Sequence, residues 1–505
     1  MLSTNVIKSV DKAGHYFSQQ DNYYTHEEGL EHSEWWGRSA EKLNLYGKVN
    51  GKQFTDFLQG KLPSGEQLGK VVEGAIKHRP GWDLTFSAPK SVSILALIGG
   101  DKRLIEAHRE AVSEALSYVE KNCSQARIKS AGEIKHQNTN NLVASLFHHD
   151  LSRAKDPQLH THSVVMNMTE RSDGKWRSLA SQIGKYGETA QGEVNGFIER
   201  VRHHNRFFSK VYEAELAYRV KQLGYEITTD TKSGIFEIKG VPKEVIQCFS
   251  KRRAEIETEL AYKGLSGGKA AAIATLNTRD AKNEVDRVLL KEKWDQQISQ
   301  LGIDLASLVK TKEDVDEIAN KLTVDPDQGI IEAVKQIAKT LSVFKTTFTL
   351  EEVVTYLSDH AIRHHVPFKK IINAINTQIA NQELISIENE QGKTVLMARS
   401  SLLEEKRLFA QLQQNKSIIP TVYDSKLMQI LEKNKEINSD YHEPLKNIFG
   451  NDSIVLLEGE NTKNELIKPI INIAKSAKLE IAILSPSLIG SKQFAQRVKA
   501  SPKNI

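Results

Sequence analysis

Two strand-like runs, residues 141–149 and 159–168, stand nine residues apart, and this spacing constrains the fold more than any other feature of the chain. A parallel return needs a crossover of about a dozen residues or more, so a gap this short joins an antiparallel pair. Side chains alternate between the faces of a strand, so His160 and His162 point to one side of the sheet. His149 ends the first run and approaches them across the hairpin. The same hairpin that organises the sheet therefore gathers three imidazoles.

At 505 residues the chain is too long for one ordinary core, and roughly two to four domains are expected. A composition of 39% hydrophobic and 26% charged residues reads as soluble and globular. The net charge of +5 is mild for this length; it allows a nucleic-acid partner without demanding one. Only two cysteines occur, Cys123 and Cys248, which excludes a disulfide framework and suits a reducing cytoplasm. The N-terminus has no signal-peptide stretch, and runs such as 94–98 are too short to span a bilayer. A cytoplasmic protein without membrane insertion is expected.

Residues 1–305 read as mixed α/β. Asp83 to Phe86 is a short strand, and Ser87-Ala88-Pro89-Lys90-Ser91 looks like a helix start, with Ser as cap and Pro in the first turn. Helical periodicity covers 101–121 and, as one long pattern, 195–223; Ser172-Asp173-Gly174 is a turn placing Trp176 on a strand. Residues 306–328 are acidic and polar and read as a linker. Residues 329–400 have winged-helix order: helices over 329–341, from Thr349 to about residue 360, and over 368–381, then strands 384–388 and 394–397. Beyond 401 come a helical stretch, a strand at 453–457, a loop opening at Gly459, a helix and a strand at 481–484. That βαβ start completes no sheet, so the C-terminus reads as cut from a longer protein.

Three imidazoles with open positions suit a divalent ion that must also hold a substrate oxygen. Zinc, nickel and manganese favour imidazole and magnesium favours oxygen, so ligand type leaves the ion open. An exposed His-x-His pair without metal is the competing reading. His148 faces the other way and reads as structural or as a phosphate contact. Asp83 is open to three roles: fixing the tautomer of a metal-bound histidine, taking a proton from a phenol, or ending a turn. Tyr16, Tyr23 and Tyr24 are candidate nucleophiles and equally candidate packing or stacking aromatics.

The run Tyr16 through Tyr24, the run from Asp83 to Ser93 and the run from His149 to His162 resemble, in this order, conjugative relaxases of the F-plasmid class, the TraI/TrwC-like (MOB-F) family. The resemblance covers roughly residues 1–305 and reaches Asn277-Thr278-Arg279. It implies an α/β (α+β) palm-like domain on a central antiparallel sheet carrying the site, with helical fingers around single-stranded DNA. It puts the first catalytic tyrosine on Tyr16, the second tyrosine group on Tyr23 and Tyr24, the metal ligands on His149, His160 and His162, and their supporting aspartate on Asp83. Some members have two adjacent tyrosines at the first position; here the second is Phe17.

The implied activity is nicking of single-stranded DNA at a plasmid origin of transfer, beside a hairpin, through a covalent 5′-phosphotyrosyl intermediate. The implied cofactor is a divalent ion, Mg2+ or Mn2+, with zinc or nickel accepted in vitro. Implied partners are relaxosome accessory proteins and a type IV secretion coupling protein, with translocation to a recipient cell. Lys90 and Arg153, inside the motifs, and Arg206 and Lys210, in the finger region, are the expected DNA contacts. Residues 401–505 resemble the start of the family's inactive, RecD-like helicase region. The loop Gly459-Glu460-Asn461-Thr462-Lys463-Asn464 lacks the second glycine and the GK[ST] that hold nucleotide phosphates, so no ATPase motor is expected in this chain. A rolling-circle replication initiator and a non-catalytic DNA-binding regulator are the alternatives; a covalent adduct separates the regulator from both enzymes.

Overall fold

The computed structural model describes residues 1–10, 33–130, 133–182, 194–230, 235–262, 286–311, 313, 326–388, 394–414, 429, 442–449 and 462–476. Tyr16, Phe17, Tyr23 and Tyr24 lie outside these residues, as do the expected strands at 453–457 and 481–484 and residues 459–461 of the expected loop, whose last three residues, Thr462, Lys463 and Asn464, open a helix instead. The chain divides into two compact units, Met1–Ser401 and Leu402–Ile505. The second includes the helices His442–Phe449 and Thr462–Ser476, with Leu445, Phe449, Ile471 and Ile473 buried.

The first unit is built on a five-stranded antiparallel sheet. Its strands are β1 (Leu2–Ile7), β2 (Ser33–Trp36), β3 (Gly81–Ser87), β4 (Ala144–Leu151) and β5 (Pro157–Met166), in the order 1-3-5-4-2. The β4–β5 hairpin therefore forms the middle of the sheet. Gly81 opens β3 so close to its neighbour that a Cβ there would lie 2.1 Å from the Val165 carbonyl oxygen.

One face of the sheet meets the main core. Helices α1 (Gly51–Leu58), α2 (Lys90–Leu97), α3 (Arg103–Cys123), α4 (Phe197–His203) and α5 (Asn205–Gln222) follow in chain order. All but α1 bury residues in that core, alongside Leu84, Phe86, Leu146, Leu159 and Val165 of the sheet. On the other face, α1 sets Phe54, Phe57 and Leu58 against Phe147, Val164 and Met166. Along β5 this second face changes character. Val164 and Met166 are buried under α1, whereas Gln158, His160 and His162, at the same alternation, stay partly open. The histidines thus occupy the part of a packed sheet face that α1 leaves uncovered.

Several sequence expectations shift. The strands of the hairpin run to Leu151 and restart at Pro157, so the loop is 152–156 rather than 150–158. The register steps from His149↔His160 to Leu151↔Pro157, which accommodates one extra residue in β5 as a bulge. Ser87 closes β3 instead of capping a helix, and Pro89 stands at the N-cap of α2 with no side-chain bond. The pattern over 195–223 is two helices, α4 and α5, broken at His204.

After α6 (Lys251–Tyr262) and α7 (Arg287–Gln300) come α8 (Pro326–Ser342), α9 (Leu350–His364) and α10 (Phe368–Ala380), then the paired strands Leu384–Glu388 and Thr394–Ala398. Thr349 and Glu352 form the reciprocal N-terminal cap of α9. This group lies against α5. Lys221 Nζ donates to the carbonyls of Ile362 and Arg363 at 2.7 and 2.8 Å, closing the C-terminus of α9. Phe368 is fully buried, 5.0 Å from Tyr118 and 6.5 Å from Phe207 between ring centroids. Phe368→Ala should therefore cost about 3–5 kcal/mol of stability. Denaturant unfolding of the full chain checks this, and a loss below about 1 kcal/mol would mean the group does not rely on that anchor. Among the described residues no helix is long and apolar enough to cross a membrane.

Candidate metal centre

The alternation of β5 sends His160 and His162 to one face, and the register sets His149 directly opposite His160. The three rings form a nearly equilateral triangle, with centroids 5.2 Å (His149–His160), 5.0 Å (His149–His162) and 5.2 Å (His160–His162) apart. One ring nitrogen from each lies within 4.8 Å of the others.

Two of the rings are oriented by acceptors behind them. His162 Nδ1 is 2.8 Å from Asp83 Oδ2 on the neighbouring strand β3. His160 Nδ1 is 2.9 Å from the carbonyl oxygen of Gln158. A carboxylate and a carbonyl only accept, so both rings carry their proton on Nδ1 and present the Nε2 lone pair. Thr85, two residues along β3 from Asp83, donates to Asp83 Oδ1 at 3.1 Å and keeps the carboxylate in place. Burial, reinforced by the neighbouring imidazoles, pushes His149 well below the usual imidazole range and His160 down to about 3. Neutral imidazole is the form that binds a metal. Three convergent imidazole nitrogens, with His160 and His162 each held by an acceptor behind the ring, fit a divalent cation.

Asp83→Asn should therefore weaken binding of a divalent ion by about 10–100-fold, as loss of such a supporting partner typically does. Titration calorimetry checks this, and unchanged affinity would detach Asp83 from the centre.

The remaining expected residues are placed differently. His148 is bonded on both sides, to Thr161 Oγ1 at 2.9 Å and Glu34 Oε1 at 3.1 Å, which gives it structural partners. Lys90 heads α2 and donates from Nζ to the Pro157 carbonyl at 2.9 Å; burial lowers its ammonium to about 8, against the pull of Asp156 and Glu237. Arg153 is half-buried in the hairpin loop and Arg206 is exposed. Lys210 is buried, with Nζ 3.0 Å from Glu213 and 2.9 Å from Asp359. Its charge is paired inside the protein. Where Tyr16, Tyr23 and Tyr24 stand relative to the histidines is outside the described residues.

Sequence reasoning missed the two acids of the hairpin. Asp150 is buried and takes a two-pronged bond from Arg287 at 2.7 and 2.9 Å. Asp156 is buried too, accepting from the Lys251 backbone N–H at 2.9 Å and from its Nζ at 3.0 Å. Trp294 Nε1 adds a bond to the Lys155 carbonyl at 3.1 Å. The loop beside the histidines thus anchors α6 and α7. No local signal marks these bonds, because their partners lie 95 to 139 residues away. Thr85 was detectable: it shares a strand face with Asp83.

Comparison with known proteins gives consistent matches. The sequence pattern of a family described as TrwC relaxase matches residues 10–301. A multifunctional conjugation protein TraI of Escherichia coli is 38% identical over 395 residues, which is 78% of this chain and 22% of that protein. TraI of Escherichia coli strain K12 is 36% identical over 398 residues, again 78% and 22%. The chain thus spans about a fifth of the length of these relatives. Among solved structures, the metal-bound conjugative relaxase TrwC in complex with oriT DNA is 36% identical, with a TM-score of 0.51, over 60% of this chain and 100% of that one. A copper-bound TrwC complex with oriT DNA matches at 36% and 0.52 over the same shares. TrwC complexed with a 27-mer DNA comprising the recognition hairpin and the cleavage site matches at 35% and 0.51, also over 60% and 100%.

Proposed function

Because this chain belongs to the TrwC relaxase family, we propose that it is a conjugative relaxase that nicks one DNA strand at an origin of transfer and stays covalently attached to it. The observation that carries the proposal is the triangle of His149, His160 and His162 on an open sheet face, with Asp83 behind His162. A divalent ion held there would polarise the scissile phosphate and offset the charge that builds on it.

The chain's own residues supply the rest. Tyr16 is the nucleophile. Its oxygen bonds to phosphorus as the bond to the 3′ oxygen breaks; the phenol proton is released, and the departing 3′ oxygen takes one up. The 5′ phosphate is left on the tyrosine, and because one ester is exchanged for another the strand remains competent for rejoining. Tyr23 or Tyr24 performs a second transfer of the same kind. Asp83 holds His162; with Oδ2 on that ring and Oδ1 on Thr85, its geometry favours this role over taking the phenol proton. Lys90, Arg153 and Arg206 remain the proposed phosphate contacts, with Lys90 also tying α2 to β5 through Pro157.

We assign residues 1–305 to this palm-and-fingers unit and 306–328 to a linker. Residues 329–400 form a winged-helix group, and 401–505 a degenerate helicase-like region that binds single strands without a motor. Magnesium or manganese is the proposed ion in the cell. Hairpin-bearing origin DNA is the proposed substrate, and relaxosome proteins and a secretion coupling protein are the proposed partners. Incubation with labelled single-stranded oligonucleotides of its own plasmid and manganese tests the reading. A denaturant-resistant protein–DNA adduct and a free 3′ hydroxyl product are expected. DNA binding without any adduct would favour the regulator.

A further inference from the structure

The strand that bears His160 and His162 is also held from behind. Thr161 lies between the two histidines, faces the other side of the sheet and is fully buried. Its hydroxyl is 2.9 Å from His108 Nε2 on α3 and 2.9 Å from His148 Nδ1 on β4. His108 Nδ1 is 2.8 Å from the Tyr212 hydroxyl on α5, and His148 Nε2 is 3.1 Å from Glu34 Oε1 on β2. Arg109 closes the far end, 3.5 Å from the same carboxylate oxygen.

With a single proton on His148, valence gives this chain one direction. The Glu34 carboxylate, held below its usual range first by the bond from His148, only accepts, so His148 donates from Nε2. A neutral imidazole then has a lone pair at Nδ1, and Thr161 donates to it. Thr161 accepts from His108 Nε2–H, which leaves His108 Nδ1 to accept from Tyr212. Burial keeps His108 neutral, its basicity well below the usual imidazole range. No single member can reverse without setting two donors or two lone pairs against each other inside the protein.

The chain crosses three adjacent strands, β5, β4 and β2, and Glu34 is the second residue of β2. Ser33, which opens that strand, follows Tyr24 by nine positions in the sequence. We propose that this directed hydrogen-bond wire locks β5 to β2 in one register, making Thr161, His148 and Glu34 positioning residues for strand cleavage. The histidine strand and the strand that follows the tyrosines in sequence are then held as one piece. The cleavage role rests on the relaxase reading; the wire itself does not.

Nitrogen-15 NMR of the full chain labelled at histidine, at pH 8, tests the wire directly, with signals assigned through His108→Gln and His148→Gln. Both rings should carry their proton on Nε2. A proton on Nδ1 of either overturns the wire. Single-turnover cleavage of origin DNA at saturating manganese tests the positioning. Thr161→Val keeps the shape and removes the hydroxyl; it should slow cleavage at least tenfold while the Kd for DNA stays within twofold. Thr161→Ser, which restores the hydroxyl, should return the rate to within threefold of the parent. Parent-like cleavage by Thr161→Val, or an equal loss in Thr161→Ser, overturns the positioning role. Glu34→Ala, at a partly exposed site, makes the same test without threatening the fold; it should slow cleavage about fivefold, and a parent rate counts against the proposal. An unmodified chain that cleaves nothing refutes the relaxase reading instead, and the histidine tautomers then judge the wire alone.

Discussion

Tyr16→Phe is expected to abolish the covalent adduct and to lower cleavage by roughly 10⁴–10⁶-fold, the scale on which an enzyme loses activity with its nucleophile. DNA binding should stay within about twofold, since the ring remains and only the oxygen is lost. A free phenol has a pKa near ~10 and attacks poorly at neutral pH, so no unactivated tyrosine elsewhere should substitute for Tyr16. The variant is checked with the same labelled oligonucleotide, in a denaturing gel. An adduct formed at the parent rate and mapped by peptide sequencing to Tyr23 or Tyr24 would transfer the primary role to that residue. Phe17 makes the test cleaner, because no second phenol adjoins the first.

The double replacement His160→Ala, His162→Ala should remove metal-dependent cleavage altogether. One imidazole, His149, would remain of the three that converge within 4.8 Å. The loss of divalent-ion affinity should exceed the about 10–100-fold expected for a supporting residue such as Asp83. Both side chains stand on the open part of the β5 face, away from the packing of Val164 and Met166 under α1. The backbone pairing with β3 and β4 is untouched, so unfolding should move by no more than about 1–2 kcal/mol. Calorimetry on the folded variant decides: undiminished manganese binding would place the ion elsewhere.

The sequence by itself determined the features that depend on neighbours along the chain. A period of two puts His160 and His162 on one face whatever surrounds them, and a short connection makes the hairpin antiparallel, which brings in His149. The cap at Thr349 and the order of the helices and strands that follow are local in the same sense. The motifs were also enough to suggest the family. Tertiary structure alone decided what depends on partners far along the chain. Lys210 is as basic in sequence as Arg206, yet it is buried against Asp359, 149 residues on, because α9 packs onto α5. Asp150 and Asp156 are polar loop residues by local rules, yet each is buried because a cation from α7 or α6 meets it there. Thr161 is an unremarked residue between two histidines until His108, Tyr212, His148 and Glu34 converge behind it. Burying a charge or a hydroxyl is unfavourable without a partner, and the choice of partner is made only when the elements pack.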